Sequence, residues 1–308
     1  MFDGYTYSEL GAIFAMQGFA GLILFSVFVL MALGLAIIFG QMGVINMAHG
    51  EFMILGAYMT YLTSIFFQNF LPDLYGGYFF IAMILAFIAS GTLGIFVEWA
   101  MIRRLYKRPL DTLLATWGLS LILQQSYRSI FGAREVGVSV PDWMLGSLQL
   151  TDLIEVPING IFVMCLTLVI ATTVGIMMYH SGWGKRVRAV VLNRTMAGAV
   201  GINTEMTDRM TFGIGCGIAG IAGSAFTMIG STGPTAGQLY IVDTFLVVVF
   251  GGAASLLGTI ASAFSISQTQ SILEFFLSGS MAKVVVLLTV VGILMLRPQG
   301  LFTIKTRK

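Results

Sequence analysis

Apolar runs recur along the chain at about 20–39, 51–68, 79–101, 111–131, 158–179, 210–230, 241–257, 259–277 and 283–297, and those at 20–39, 79–101 and 158–179 are long and nearly free of charge. A helix that crosses a bilayer needs about 20 mostly apolar residues, and most of these runs approach that length. The pattern predicts an all-α fold, a polytopic transmembrane helical bundle of eight or nine spans forming one domain over residues 1–308. Two places blur the count. The run 111–131 holds Gln124, Gln125 and Arg128, and 241–257 passes into 259–277 with only a glycine-rich break. A span flecked with polar groups usually turns them toward neighbouring helices and away from lipid.

Composition agrees with the pattern. Of 308 residues, 57% are hydrophobic and 10% charged, and the mean hydropathy is +0.92. A soluble domain carries roughly a quarter charged residues, so much of this surface must face lipid, and no length is left for a nucleotide-binding domain. The opening MFDGYTYSEL lacks the basic stretch and cleavage site of a signal peptide, so the first run is expected to persist as a span. Cys165 and Cys216 both lie in apolar runs and read as packing residues.

Charge gives the runs a direction. Arg103, Arg104, Lys107 and Arg108 follow the third run; Lys185, Arg186, Arg188, Arg194 and Arg209 separate the fifth from the sixth; Arg297, Lys305, Arg307 and Lys308 close the chain. These are 13 of the 16 basic residues, and an alternating path puts all three segments on one face. By the positive-inside rule that face is cytoplasmic. The segment 132–157, with Glu135, Asp142, Asp152 and Glu155 against Arg134, is then external, the N-terminus is outside and the C-terminus is cytoplasmic.

Three stretches carry candidate chemistry. In GLAIIFGQMGVINMAHGEFMILGAY (34–58), glycines flank the polar residues Gln41, Asn46, His49 and Glu51. A charge at membrane depth is costly unless it meets a cavity or a partner, and irregular backbone is tolerated there only under protein or water. The stretch reads either as two helices meeting at a polar break or as a cytoplasmic turn in which His49 and Glu51 cap a helix. In RPLDTLLATWGLSLILQQSYR (108–128), Thr116, Ser120 and Gln124 form a stripe at steps of four, with Trp117 and Gln125 beside it. Neutral hydrogen-bonding groups suit a small polar ligand; the plainer reading is bonding between helices. Asp243 reads as a gate or docking residue, or simply as a helix-start acid. The third stretch, 182–212, is a basic loop containing NRTMAGAVGIN (193–203), a small-residue helix stopped by Gly201 and suited to docking in a partner's groove.

GIGCGIAGIAGSAF (213–226) spaces Gly213, Gly217, Gly220 and Gly223 by three and four, a smooth face for close helix packing. No HExxH, CxxC, GxSxG or P-loop lysine occurs, and His49 and Glu51 do not share a helical face. Neither an enzyme, a metal site nor a nucleic-acid partner is expected.

The stretch 193–203 resembles the coupling loop of ABC-importer membrane subunits, whose pattern runs Glu-Ala-Ala, three residues, then Gly. Here Arg194, Thr195, Met196 and Ala197 stand in the acidic-to-alanine stretch, Gly198 follows, and Gly201-Ile202-Asn203 stands where the pattern expects its glycine. INMAHGEF (45–52), IVDTFLVVVFGGAASLLGT (241–259) and RPQGLF (297–302) extend the likeness nearly end to end, and the chain is similar to the branched-chain amino acid permease family. RPLDTLLATWGLSLILQQ (108–125) resembles its urea-importer branch most. The resemblance implies half of a translocation pathway in a bacterial inner membrane, for urea or else for branched-chain amino acids. It implies a homologous permease subunit, two cytosolic ATPase subunits holding ATP and magnesium, and a periplasmic substrate-binding protein as partners. No cofactor is expected in this chain. The pattern's acidic residue is missing here, replaced near Arg194. The competing class is a stand-alone secondary transporter or channel.

Overall fold

The computed structural model describes residues 7–106, 108–252, 255–297 and 300–301. Each apolar run is a helix. They are α1 (Tyr7–Met42), α2 (His49–Phe70), α3 (Tyr78–Val97), α5 (Pro109–Phe131), α6 (Ile158–His180), α9 (Thr204–Phe226), α10 (Ala236–Gly251), α11 (Leu256–Phe276) and α12 (Gly279–Leu296). α3 runs on through a π turn at Glu98–Ile102 into the short α4 (Arg103–Leu105). By length and composition, four stretches suffice to cross a membrane: Tyr7–Gly40, Pro72–Leu105, Ile158–His180 and Gly279–Leu296. The remaining helices are shorter, or carry more polar residues.

Two expected loops hold regular structure. Residues 182–212 form α7 (Gly182–Leu192), α8 (Arg194–Ala199) and the first turns of α9, so the basic segment is a helical hairpin. Its corners are set by asparagines. Asn193 Oδ1 accepts from the Met196 amide at 3.0 Å and Asn203 Oδ1 from that of Met206 at 2.9 Å, capping α8 and α9. Gly201, at φ +89°, ends α8 in the left-handed conformation that glycine adopts freely, while the Ile202 amide donates back to Ala197 O. Segment 132–157 contains an antiparallel hairpin, β1 (Ser147–Thr151) and β2 (Ile154–Pro157), an addition to the all-α expectation. Tyr75 and Tyr78 hydroxyls donate to Ser139 O at 2.7 and 2.9 Å, and Val136 bridges Thr232, so the segment lies across the ends of α2 and α3 and the α9–α10 turn.

The glycine-rich α9 stands at the centre, packed on α1, α2 and α3. A Cβ on Gly213 would strike Ile95, on Gly217 the Phe87 ring, on Gly220 Ala86 O and Ser90, and on Gly223 Met53 O. The stripe therefore serves packing within the chain, against α3 along three positions and α2 at the fourth. α1 lies antiparallel to α11, with Phe14 against Phe275 and Phe25 against Phe264. Apolar cores fill the two seams, one with Phe52, Phe79 and Phe212, the other with Phe28, Val247 and Ile266. α5 is peripheral and joins the bundle chiefly through α2.

Candidate substrate pathway and coupling elements

The break between α1 and α2 lies inside the bundle. α1 stops at Met42, Gly43 turns at φ +64°, and α2 begins at His49. Asn46, His49 and Glu51 are each at most 1% exposed. This is a buried junction of two helices, and neither side chain caps. Asn46 Oδ1 instead accepts from the Ala48 amide at 3.1 Å, folding the turn. His49 Nε2 lies 3.2 Å from Met31 O across the gap left by Gly34. The side chain of Gln41 lies outside the described residues.

Glu51 reaches the other way, to α5. Ser120 Oγ and Gln124 Nε2 both donate to its Oε1, at 3.0 and 2.7 Å, and Gln124 also donates to Ser120 Oγ at 3.1 Å. The Tyr127 hydroxyl donates to Glu51 O at 3.0 Å. One step earlier, Thr116 Oγ1 accepts from the Met47 amide at 3.1 Å. The predicted stripe is a buried face: Thr112, Thr116, Ser120, Gln124 and Tyr127 are the buried residues of α5, and Thr116, Ser120, Gln124 and Tyr127 bond to the break. Trp117 and Gln125 lie off that face, and Trp117 is half exposed. Glu51 occupies the first turn of α2, where the helix dipole favours an anion.

Some polar atoms at this junction find no partner among the described residues: Glu51 Oε2, Asn46 Nδ2, His49 Nδ1 and the Tyr58 hydroxyl. Buried donors and acceptors are normally satisfied. An acceptor on a carboxylate and a donor on an amide, left over at one helix break, equip it to hold a ligand bearing both kinds of group.

Asp243 is set apart from this cluster. It stands in the middle of α10 rather than at a helix start, and its Oδ2 accepts from Lys283 Nζ of α12 at 2.9 Å. Lys283 also lies over the Tyr240 ring, 5.6 Å from its centre. A partner forty positions downstream leaves no local pattern, so neither sequence account of Asp243, a gate or docking residue or a helix-start acid, included Lys283.

Around α8, Arg194 pairs with Asp208 of α9 and stacks on Tyr106; the Tyr106 hydroxyl donates to Glu98, which also faces Arg209; and Arg103 pairs with Glu205. Ala197 is buried at the root of α8, whereas Gly198 has open space around it and Met196 and Val200 are exposed. Tyr58, Tyr127, Glu98, Tyr106, Asp208 and Lys283 escaped the sequence reading; only Tyr127 carried a signal, continuing the α5 stripe three residues past Gln124.

Residues 18–294 match the family described as "Branched-chain amino acid transport system / permease component". The chain is 26% identical to the high-affinity branched-chain amino acid transport system permease protein LivH of Escherichia coli K12, over 96% of this chain and 97% of that one. It is 24% identical to the probable branched-chain amino acid transport permease protein LivH of Methanocaldococcus jannaschii, over 97% and 95%. It is 23% identical to the permease protein BraD of Pseudomonas aeruginosa, over 91% and 93%. No solved structure matches significantly. With the match running through every helix from α1 to α12, the chain belongs to the family of branched-chain amino acid transport system permease components.

Proposed function

We propose that this chain is a membrane-spanning permease subunit of an ATP-driven ABC importer, forming half of the translocation pathway for a branched-chain amino acid. The observation that supports it best is the buried break at 43–51, with unpaired polar atoms on Glu51 and Asn46, in a chain whose relatives are named as permeases for such amino acids. An amino acid brings an ammonium donor and a carboxylate acceptor, the complements of those two atoms. Asn46, His49 and Glu51 line the route, while Thr116, Ser120 and Gln124 hold Glu51 in place, and Gln41, Trp117 and Asp243 are assigned to its margins. α8, with Ala197, Gly198, Gly201, Ile202 and Asn203 shaping it, is the coupling helix that meets an ATPase. The partners are a homologous permease, two cytosolic ATPases and a periplasmic binding protein, in a bacterial inner membrane with eight or nine spans, the N-terminus outside and the C-terminus cytoplasmic.

Urea or a short amide is the second reading, favoured by residues 108–125 alone. The neutral groups of that stretch point onto Glu51, which weakens it. ATP-dependent uptake of labelled leucine and of urea, in vesicles with the whole assembly and with or without this chain, separates the two. Leucine uptake that needs both ATP and this chain is expected. Urea uptake alone reverses the substrate assignment, and gradient-driven flux without ATP points to a secondary transporter.

A further inference from the structure

Arg194 begins α8 beside the position where the coupling pattern carries an acid, and its side chain, about half exposed, reaches back to α9. Nη2 lies 2.5 Å from Asp208 Oδ2, and the guanidinium carbon sits 5.3 Å from the centre of the Tyr106 ring. Asp208 is 0% exposed and belongs to the second turn of α9. A buried carboxylate without its counter-charge is strongly destabilised, so Asp208 ties α8 to α9. Tyr106 carries the connection to α3: its hydroxyl donates to Glu98 Oε1 at 2.6 Å, and Glu98 Oε2 faces Arg209 Nε of α9 at 3.4 Å. Glu98 is buried and opens the π turn that follows α3, a form of helix frequent at functional sites. One closed circuit of side chains thus runs from α8 to α9, across to α3, and back through Tyr106. α9 is also the helix whose glycine face lies against α1, α2 and α3, so any displacement of its first turns is felt along all three.

We infer that Arg194 is a positioning residue that fixes the coupling helix to α9 and α3 through Asp208 and Tyr106, and is not itself an ATPase contact. This rests on α8 being the coupling helix. It gives the basic residue beside the pattern's acidic position a role within the subunit, as counter-charge to the buried Asp208.

The test uses the complete assembly in proteoliposomes, reading substrate carried per ATP hydrolysed and copurification of the ATPase. Arg194→Asp and Asp208→Arg should each lower the transport-to-hydrolysis ratio by about tenfold, a typical coupling energy, with the ATPase still bound. The double swap should return most of it, as interacting pairs do. Singles that transport like the parent, a swap without recovery, or loss of the ATPase with Arg194→Asp would each overturn the inference. Where Asp208→Arg fails to reach the membrane, Arg194→Gln and Tyr106→Leu decide, each expected to uncouple. Met196→Asp on the exposed face of α8 checks the underlying reading separately. If it leaves ATPase binding and coupling intact, α8 is not the coupling helix; if it releases the ATPase while the Arg194 variants behave normally, only the inference fails.

Discussion

Glu51 shows what a single side chain asks of this fold. Placing a carboxylate within the bundle costs at least about 2.5 kcal/mol on insertion scales, and three features offset it: the first turn of α2, Ser120 and Gln124. Hydrogen bonds between membrane helices average only about 0.6 kcal/mol, so Ser120→Ala alone should scarcely move the thermal midpoint in detergent. Ser120→Ala with Gln124→Leu strips both donors from one oxygen, and a buried acceptor left bare costs about 1–3 kcal/mol. The double variant should therefore unfold at a clearly lower temperature than the sum of the singles. Glu51→Gln separates holding from function: it keeps the size, so the midpoint should stay near the parent's while uptake falls by about tenfold or more, the worth of one charged contact. Uptake at the parental level would make Glu51 a packing residue. The α5 stripe was legible because Thr116, Ser120 and Gln124 repeat at helical spacing. Glu51 was legible too, as a charge at a polar break, but its bond to the stripe was not, because it lies about seventy residues away in the chain and nothing local links the two.

At the scale of elements, apolar runs and helices coincide because burial in lipid and protein selects the same residues that a hydropathy pattern counts. What escaped was polar. α7 carries Lys185, Arg186 and Arg188 among its valines, and the β1–β2 hairpin is short and mostly exposed, so neither rises as an apolar run. The glycine stripe on α9 was legible as a contact face, though its two neighbours were not. Gly56 of α2 and Gly220 of α9 meet so closely that a Cβ on Gly56 would overlap Gly220 O. Gly56→Ala should lower stability by about 1–3 kcal/mol, since overpacking here displaces backbone. Gly292→Ala on α12, exposed and with nothing within 4 Å, is the matched control. It should be neutral or gain up to about 1 kcal/mol from the reduced freedom of the unfolded chain. Equal effects at the two sites would mean the α2–α9 crossing tolerates separation.

For the whole molecule, the arrangement of helices and the distribution of charge make one joint claim about sidedness. α3 and α9 meet antiparallel, Gly91 and Gly94 lying beside Gly213 and Gly217, which brings the end of α3 to the start of α9. Arg103 and Glu205 pair there, and Arg194 closes the same corner from α8. The hairpin at 147–157 belongs to the opposite end, tied there by Tyr78 to Ser139 and by Val136 to Thr232. Two of the three basic segments thus share one end of the bundle in space as well as in the alternating count, and the acidic segment lies at the other. By the positive-inside rule, the basic end is the one we propose to face the cytoplasm. After Cys165→Ser, which leaves only the buried Cys216, a cysteine at the exposed Asp152 should react with a membrane-impermeant thiol reagent in intact cells. One at Lys185, on the exposed face of α7, should react only after permeabilisation. The reverse pattern would invert the subunit and put α8 on the side without ATP, removing its role as coupling helix. Labelling of both sites in intact cells would break the antiparallel α3–α9 corner on which the coupling circuit depends.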